Sequence, residues 1–402
     1  MDTHTVSLPL RVNFGGGWSD TPPYCIENGG TVLNAAILIH GKCPVKVTLK
    51  KLGEKKIILE SRDLDAYRVY EGLPDLFPMD DPYDPFAIQK AALLVCGVIP
   101  SGLYADYDHG RMETGPAKTF CPGGAAESAA AEETGRKPKP AEETGGEPEG
   151  LEKILDALGG GIYIDTEVFN IPKGSGLGTS SILAAACVKA LSEFLGIPYT
   201  ETDITEKVLC IEQIITTGGG WQDQVGGLTG GIKFITTRPG WEQIPHIRQI
   251  EIDGRTKSEL QDRFALIYTG QRRLARNLLR EIMGRYIGSD PVTAEVLDGI
   301  QRIAALMRFE LERGNVDAFG KLLTDHWELC KKMDAGCTNT LIEQIFDAAG
   351  ELLSGRMVCG AGGGGFLQVL LKKGVTKEML QKRLGEVFQD TEVCVWDCEF
   401  VW

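Results

Sequence analysis

Apolar residues alternate with polar ones over 5–14, "TVSLPLRVNF", and over 42–62, "KCPVKVTLKKLGEKKIILESR", where a turn near Gly53 divides the run. That period predicts strands. Over 84–99, "DPFAIQKAALLVCGVI", the spacing becomes helical and Pro85 sits at the first turn. A strand is expected at 160–168, "GGIYIDTEV", then helices at about 179–195 and 203–216. The glycine-rich stretch 216–235, "TTGGGWQDQVGGLTGGIKFI", ends in a strand, and 263–270, "RFALIYTG", reads as another. Residues 272–349 read as mostly helical. The last part gives strands at 356–371 and 392–402 around a helix at about 376–388. Strands and helices in blocks, without a repeated strand–helix–strand unit, predict an α+β fold.

Composition narrows the class. The 402 residues suffice for two or three packed domains. Residues 113–150 depart from the rest: they are rich in Gly, Pro, Ala and Glu, hold Phe120 as their one aromatic, and echo "AEETGRKPKP" in "AEETGGEPEG". Such a segment buries too little to order itself, so a mobile insertion without catalytic role is expected. A net charge of −14 disfavours nucleic acid as a partner. The eleven cysteines are scattered without a CxxC pair, which suits free thiols in a reducing compartment. In "CVWDCEFVW", Cys394, Trp396, Cys398, Phe400 and Trp402 share one face of the expected strand, a core pattern. No membrane-spanning run or signal-peptide pattern appears, so no membrane association and a cytoplasmic location are expected.

Three glycine-bearing segments carry candidate chemistry. The first, "IPKGSGLGTSS" at 171–181, leads into a helix. Its glycines allow close backbone approach, and the helix start presents free N–H groups and a positive dipole end to an anion. Thr179, Ser180 and Ser181 add hydroxyls. It is neither a Walker A loop, which needs a Lys after the last Gly, nor a dinucleotide fingerprint. A plain helix-capping turn fits the same residues. The second segment, "LPLRVNFGGGWSDTPP" at 8–23, sets Arg11 on an apolar strand and Asp20 on the turn beyond. The third, "CGAGGGGFLQVLL" at 359–371, puts glycines before a strand, as a packing turn also would.

The helix near 203–216 adds a separate signal. Val208, Leu209, Ile211, Ile214 and Ile215 form one face, with Glu212 in its middle and Glu206 and Gln213 outward. A carboxylate there needs a metal or a cationic partner. Asp223, eleven residues on between two amides, is a candidate base or a turn cap.

Taken in order, the Arg-bearing first strand, "PKGSGLGTSS", Glu212 followed by "QDQ", and the late "GAGGGG" turn resemble the GHMP small-molecule kinases over nearly the whole chain. "GGWSDTPPYCIENGG", "VLNAA" and "YTGQRRLARNLLREI" resemble the sugar-1-kinase branch, which holds L-fucokinases and bacterial heptose-7-phosphate kinases. "HWELCKKMDAGCTN" and "VWDCEFVW" lean toward the fucokinases. The resemblance implies a ribosomal-protein-S5-like ATP-binding domain at 1–242 and a ferredoxin-like domain at 243–402. It also implies ATP- and Mg²⁺-dependent phosphorylation of an anomeric hydroxyl, first of L-fucose, with D-glycero-D-manno-heptose 7-phosphate as the alternative. Arg272, Arg273 and Arg276 would serve that second substrate's phosphate. A non-catalytic sugar sensor on the same fold would be expected to lack Asp223 or Glu212, and both are present. By the same resemblance, Pro172, Lys173, Gly174, Ser175, Gly176, Leu177, Gly178, Thr179, Ser180 and Ser181 wrap the ATP phosphates. Ser180 and Glu212 hold Mg²⁺, Asp223 faces the acceptor hydroxyl, and Arg11 stands beside it. Trp18, Ser19, Asp20, Gly219, Gly362 and Gly363 shape the sugar pocket. A homo-oligomer, or a fusion to a nucleotidyltransferase half that this chain does not contain, is in keeping with the family.

Overall fold

Pro9 divides the expected first strand. A computed structural model of the chain describes residues 3–81, 83–108, 150–271 and 276–402, without the side chains at 105–108, 276 and 277. The low-complexity segment at 113–150 lies, but for Gly150, outside the described residues, as do Arg272, Arg273 and the side chain of Arg276. Residues Thr3–Leu8 and Leu10–Gly15 are separate strands in different sheets. Pro9 has no N–H to donate to a ladder, so the chain changes partners there.

The first sheet has the order Thr3–Leu8, Val45–Leu52, Gly161–Val168, Ile57–Ser61, Ala66–Tyr70. The expected 42–62 pair therefore does not form a hairpin. Gly161–Val168 inserts between its two halves, antiparallel to Val45–Leu52 and parallel to Ile57–Ser61. Helix Thr179–Leu195 packs across Val45–Leu52 and Thr3–Leu8, and helices Ala87–Val95 and Glu201–Ile214 pack on it. Glu201–Ile214 begins in a capping box, with Thr200 and Asp203 bonded to each other's backbone N–H.

The carboxyl-terminal half forms a four-stranded antiparallel sheet in the order Leu353–Val358, Phe366–Leu371, Phe264–Tyr268, Cys394–Trp396. Numbered along the chain, that order is 2-3-1-4, the ferredoxin-like arrangement. The expected helical block at 272–349 resolves into Arg276–Ile287, Pro291–Glu312, Val316–Met333 and Thr340–Ala349, all between the first and second strands of this sheet. Helix Lys377–Val387 joins the third strand to the fourth.

The strand expected at 392–402 also splits. Cys394–Trp396 pairs with Phe264–Tyr268, whereas Cys398–Phe400 pairs with Thr31–Ile39. Trp402 is 45% exposed and lies off the core face expected for it. A third sheet holds Cys398–Phe400, Thr31–Ile39, Ile232–Thr236 and His246–Gln249, with Leu10–Gly15 also paired to Thr31–Ile39. The cysteines of the described residues are free. No helix among those residues is long and apolar enough to cross a membrane.

Candidate functional site

Strand Gly161–Val168 runs into the glycine loop, which opens helix Thr179–Leu195. Gly178 precedes that helix at φ +76°, and Gly176 stands at φ +77°, a conformation that suits glycine. Gly176 also lies where no side chain fits, since a Cβ there would meet the Cys359 carbonyl oxygen at 2.4 Å. The late glycine turn thus backs the loop, and Phe366 N–H donates to the Ser175 carbonyl at 3.1 Å. A cavity of about 620 Å³ opens over the loop, and every predicted residue from Pro172 to Ser181 lines it except Leu177. Leu177 is fully buried in the core.

Arg11 and Asp223 meet beside Gly178. Arg11 leaves the strand Leu10–Gly15 and is almost wholly buried. Its Nε and Nη2 donate to Asp223 Oδ1 at 2.8 and 2.5 Å, and its Nη1 donates to the Gly176 carbonyl at 2.8 Å. The guanidinium therefore ties the base candidate to the loop. Asp223 stands in the first turn of a short helix, Gln222–Leu228, rather than in an open loop. Both bonds fall on Oδ1, and no donor among the described residues engages Oδ2. That oxygen is available to a hydroxyl. A Cβ on Gly178 would lie 3.1 Å from Asp223 Cγ and 3.3 Å from Arg11 Nε.

Glu212 is buried on the apolar face of its helix, as its spacing predicts, while Glu206 and Gln213 are exposed. Ser181 Oγ donates to Glu212 Oε1 at 2.5 Å, and Thr217 Oγ1 donates to Oε2. The hydroxyl against Glu212 is thus Ser181's and not Ser180's. The two serines stand about 100° apart on the helix, and Ser180 is exposed toward the cavity. Glu212, Ser180, Ser181, Thr217 and Gly219 all line the cavity. No group of three or more His, Cys, Asp or Glu among the described residues suits a metal. One carboxylate with nearby hydroxyls does suit a hard cation whose shell is completed by phosphate oxygens and water.

The sugar-pocket residues divide. Trp18 and Gly219 line the cavity. Ser19 and Asp20 are wholly buried beneath it and serve the turn. Ser19 Oγ donates to the Gly16 carbonyl at 2.6 Å and accepts from Thr31 N–H at 3.0 Å. Asp20 accepts from Gln222 N–H at 3.0 Å and Gln222 Nε2 at 2.9 Å. Burial raises its pKa to about 7, with Asp223 adding to the rise and the Gln222 hydrogen bond opposing it. Gly362 and Gly363 turn away. A Cβ on Gly362 would meet the Cys337 carbonyl oxygen at 2.2 Å, and Gly363 N–H donates to that oxygen at 2.6 Å.

His326 and most of the apolar lining have no counterpart among the predicted residues. His326, on helix Val316–Met333, accepts from Gly16 N–H through Nε2 at 3.0 Å. It is buried, and desolvation lowers its pKa to about 4, so it is neutral at pH 7. It lines the cavity together with Trp18, Leu279, Trp327 and Met357. Leu64, Pro85, Ile88, Val168 and Ile171 add further apolar lining. Among the described residues, the basic Lys and Arg side chains lining the cavity are Arg11 and Lys173.

The family model "GHMP kinases N terminal domain" matches residues 149–231, which hold the glycine loop, Glu212 and Asp223. The chain is 33% identical over 378 residues to an L-fucokinase/L-fucose-1-P guanylyltransferase of Bacteroides fragilis, covering 94% of this chain and 35% of that protein. It spans, in other words, about a third of that relative. It is 26% identical to a D-glycero-alpha-D-manno-heptose 7-phosphate kinase of Campylobacter jejuni, covering 91% of this chain and 89% of the relative. Among solved structures, a D-glycero-D-manno-heptose 1-phosphate kinase from Bacteroides thetaiotaomicron superposes with a TM-score of 0.64 at 19% identity, covering 100% of this chain and 96% of that one.

Proposed function

Because the chain belongs to the GHMP kinases, we propose that it transfers the γ-phosphoryl group of ATP to the anomeric hydroxyl of a sugar, L-fucose first. The observation that carries this reading is the Arg11–Asp223 pair set against Gly178, where the loop ends and the cavity opens.

Phosphoryl transfer depends on alignment and charge neutralisation. In this acidic chain the positive potential is local. It comes from loop amides, the start of helix Thr179–Leu195, Lys173 and Arg11. Asp223 Oδ2 orients the acceptor hydroxyl and takes its proton as the oxygen attacks phosphorus. Arg11 bonds Oδ1, which leaves Oδ2 to the hydroxyl, and faces the charge that develops on the transferring group. Glu212 with the Ser180 hydroxyl would hold Mg²⁺, which when bound offsets the charge of the phosphates. The Ser181 and Thr217 hydroxyls keep the Glu212 carboxylate directed.

The apolar side chains lining the cavity support a deoxy sugar. Trp18, Leu279, Trp327 and Met357 offer contact to a methyl group, and His326 is neutral at pH 7. The 33% identity to a protein named for L-fucokinase activity points the same way. The test is ATP consumption over L-fucose, other free sugars and D-glycero-D-manno-heptose 7-phosphate, with the product assigned by phosphorus NMR. The reading predicts turnover with L-fucose and a phosphorus signal coupled to the anomeric proton. Turnover confined to the heptose phosphate, or phosphate on another carbon, contradicts it.

A further inference from the structure

Lys233 is fully buried on strand Ile232–Thr236, opposite Asn34 of Thr31–Ile39, and no catalytic step described above uses it. We propose that it is a positioning residue, whose ammonium clamps the carboxyl end of helix Gln222–Leu228 and so sets where Asp223 and Arg11 stand. The proposal deepens the phosphoryl-transfer reading and rests on it.

A lysine ammonium has three N–H donors. Here they go to three main-chain carbonyls, those of Gly226 at 3.1 Å, Thr229 at 2.5 Å and Gly231 at 3.2 Å. Among the described residues no carboxylate bonds to Nζ. Glu201 acts on it only at longer range and binds Thr229 Oγ1 instead. Desolvation lowers the Lys233 pKa to about 7. A cation kept in that setting is costly, and an apolar side chain would fill the same sheet position without the penalty. What the ammonium supplies is donors for carbonyls in and just beyond a seven-residue helix, whose last turn has few partners of its own.

That helix carries Asp223 and packs against the stem of Arg11. Asp223 stands in its first turn. Gly226, three residues on, faces Arg11 so closely that a Cβ there would lie 2.7 Å from Arg11 Cβ. Lys233 therefore holds the carbonyl of the residue on which the Arg11 stem rests. The other end of the helix is held by Asp20 on Gln222 N–H and by Asn34 Nδ2 donating to the Gln222 carbonyl at 3.0 Å. With one end pinned and the other released, the helix tilts and Asp223 moves relative to Arg11 and the loop.

The test is Lys233→Met, which keeps the stem and removes the donors, in the full chain. Three quantities are compared with the parent: kcat and KM, binding of a non-hydrolysable ATP analogue, and amide exchange over 222–228. The clamp predicts folded protein, nucleotide affinity and sugar KM within about twofold, and a kcat lower by roughly 10- to 100-fold, the scale of a sub-ångström misplacement. It also predicts faster exchange confined to 222–228 and the carbonyl-bearing turn after it. Parental kcat per folded molecule, or unchanged exchange over 222–228, overturns the proposal. Should Lys233→Met not fold, Lys233→Gln replaces it: its shorter amide has two donors and cannot serve all three carbonyls, so a smaller loss of kcat and faster exchange over 222–228 are expected, and parental values of either overturn the proposal. If the parent turns over no sugar, the kinase reading fails, while the exchange measurement still decides whether the clamp exists.

Discussion

Gly178→Ala probes the contact on which the mechanism depends, that between the loop and the Arg11–Asp223 pair. Two costs arise, and they can be separated. The first is backbone strain, because φ is +76° and an alanine in the left-handed region costs about 1–2 kcal/mol. The second is contact. The new Cβ would stand 3.1 Å from Asp223 Cβ and Cγ and 3.3 Å from Arg11 Nε, closer than ordinary van der Waals separation. Asp223 must then retreat by a few tenths of an ångström from a position that Arg11 holds at 2.5–2.8 Å. Gly196→Ala is the matched control. It ends the same helix at φ +66°, and a Cβ there meets nothing within 4 Å. Both variants should lose a similar few degrees of melting temperature. Only Gly178→Ala should lose kcat, by roughly 10-fold or more, measured at saturating ATP and L-fucose. Gly196→Ala should stay within about twofold of the parent. Equal kcat in the two variants would refute the argument that the loop presses on the reacting pair.

Glu212→Gln should raise the Mg²⁺ concentration needed for half-maximal activity and lower kcat with the fold intact; an unchanged Mg²⁺ titration would make Glu212 a structural partner of Ser181 and Thr217. His326 makes stability depend on pH. Its folded pKa lies near 4 against an ordinary 6.5, so its contribution to stability is present above pH 6.5 and is lost as pH falls through 4. The parent should lose up to about 3 kcal/mol more than His326→Gln over that window, and parallel melting curves for the two proteins would show that His326 does not titrate there. Replacing residues 115–148 by a short Gly/Ser link should leave activity within a few-fold, and loss of folding would show that the segment is part of the packed structure.

Local pattern made much of this site legible. Helix Thr179–Leu195 matches its expected span because Gly178 and Gly196 bracket an unbroken apolar stripe. Glu212 stands out as a charge on an apolar helix face, and Arg11 as the charge on an otherwise apolar strand. What depends on three-dimensional direction was not legible. Ser180 and Ser181 are neighbours in sequence, and only the rotation of the helix against Glu212 tells which hydroxyl meets the carboxylate. Asp20 reads as a polar turn residue open to a ligand, yet the turn folds inward onto Gln222, a residue 202 positions away. His326 gave no signal, since its partner Gly16 lies 310 positions back. Long-range pairing also decided the sheets. Gly161–Val168 separates two strands joined by a short turn, and Asp397 marks a change of sheet inside one alternating run.

The central claim is that Asp223 acts on the acceptor hydroxyl, and kcat of Asp223→Asn at saturating ATP and sugar tests it most directly. Asparagine keeps the shape of the side chain and its hydrogen bond to the hydroxyl but cannot take the proton. It also gives up the charge that faces Arg11. The account predicts a kcat lower by roughly 10²–10⁴, with ATP affinity little changed because the loop and Glu212 are untouched. A kcat within about threefold of the parent would contradict it and leave Asp223 as a helix-turn residue with no part in the transfer.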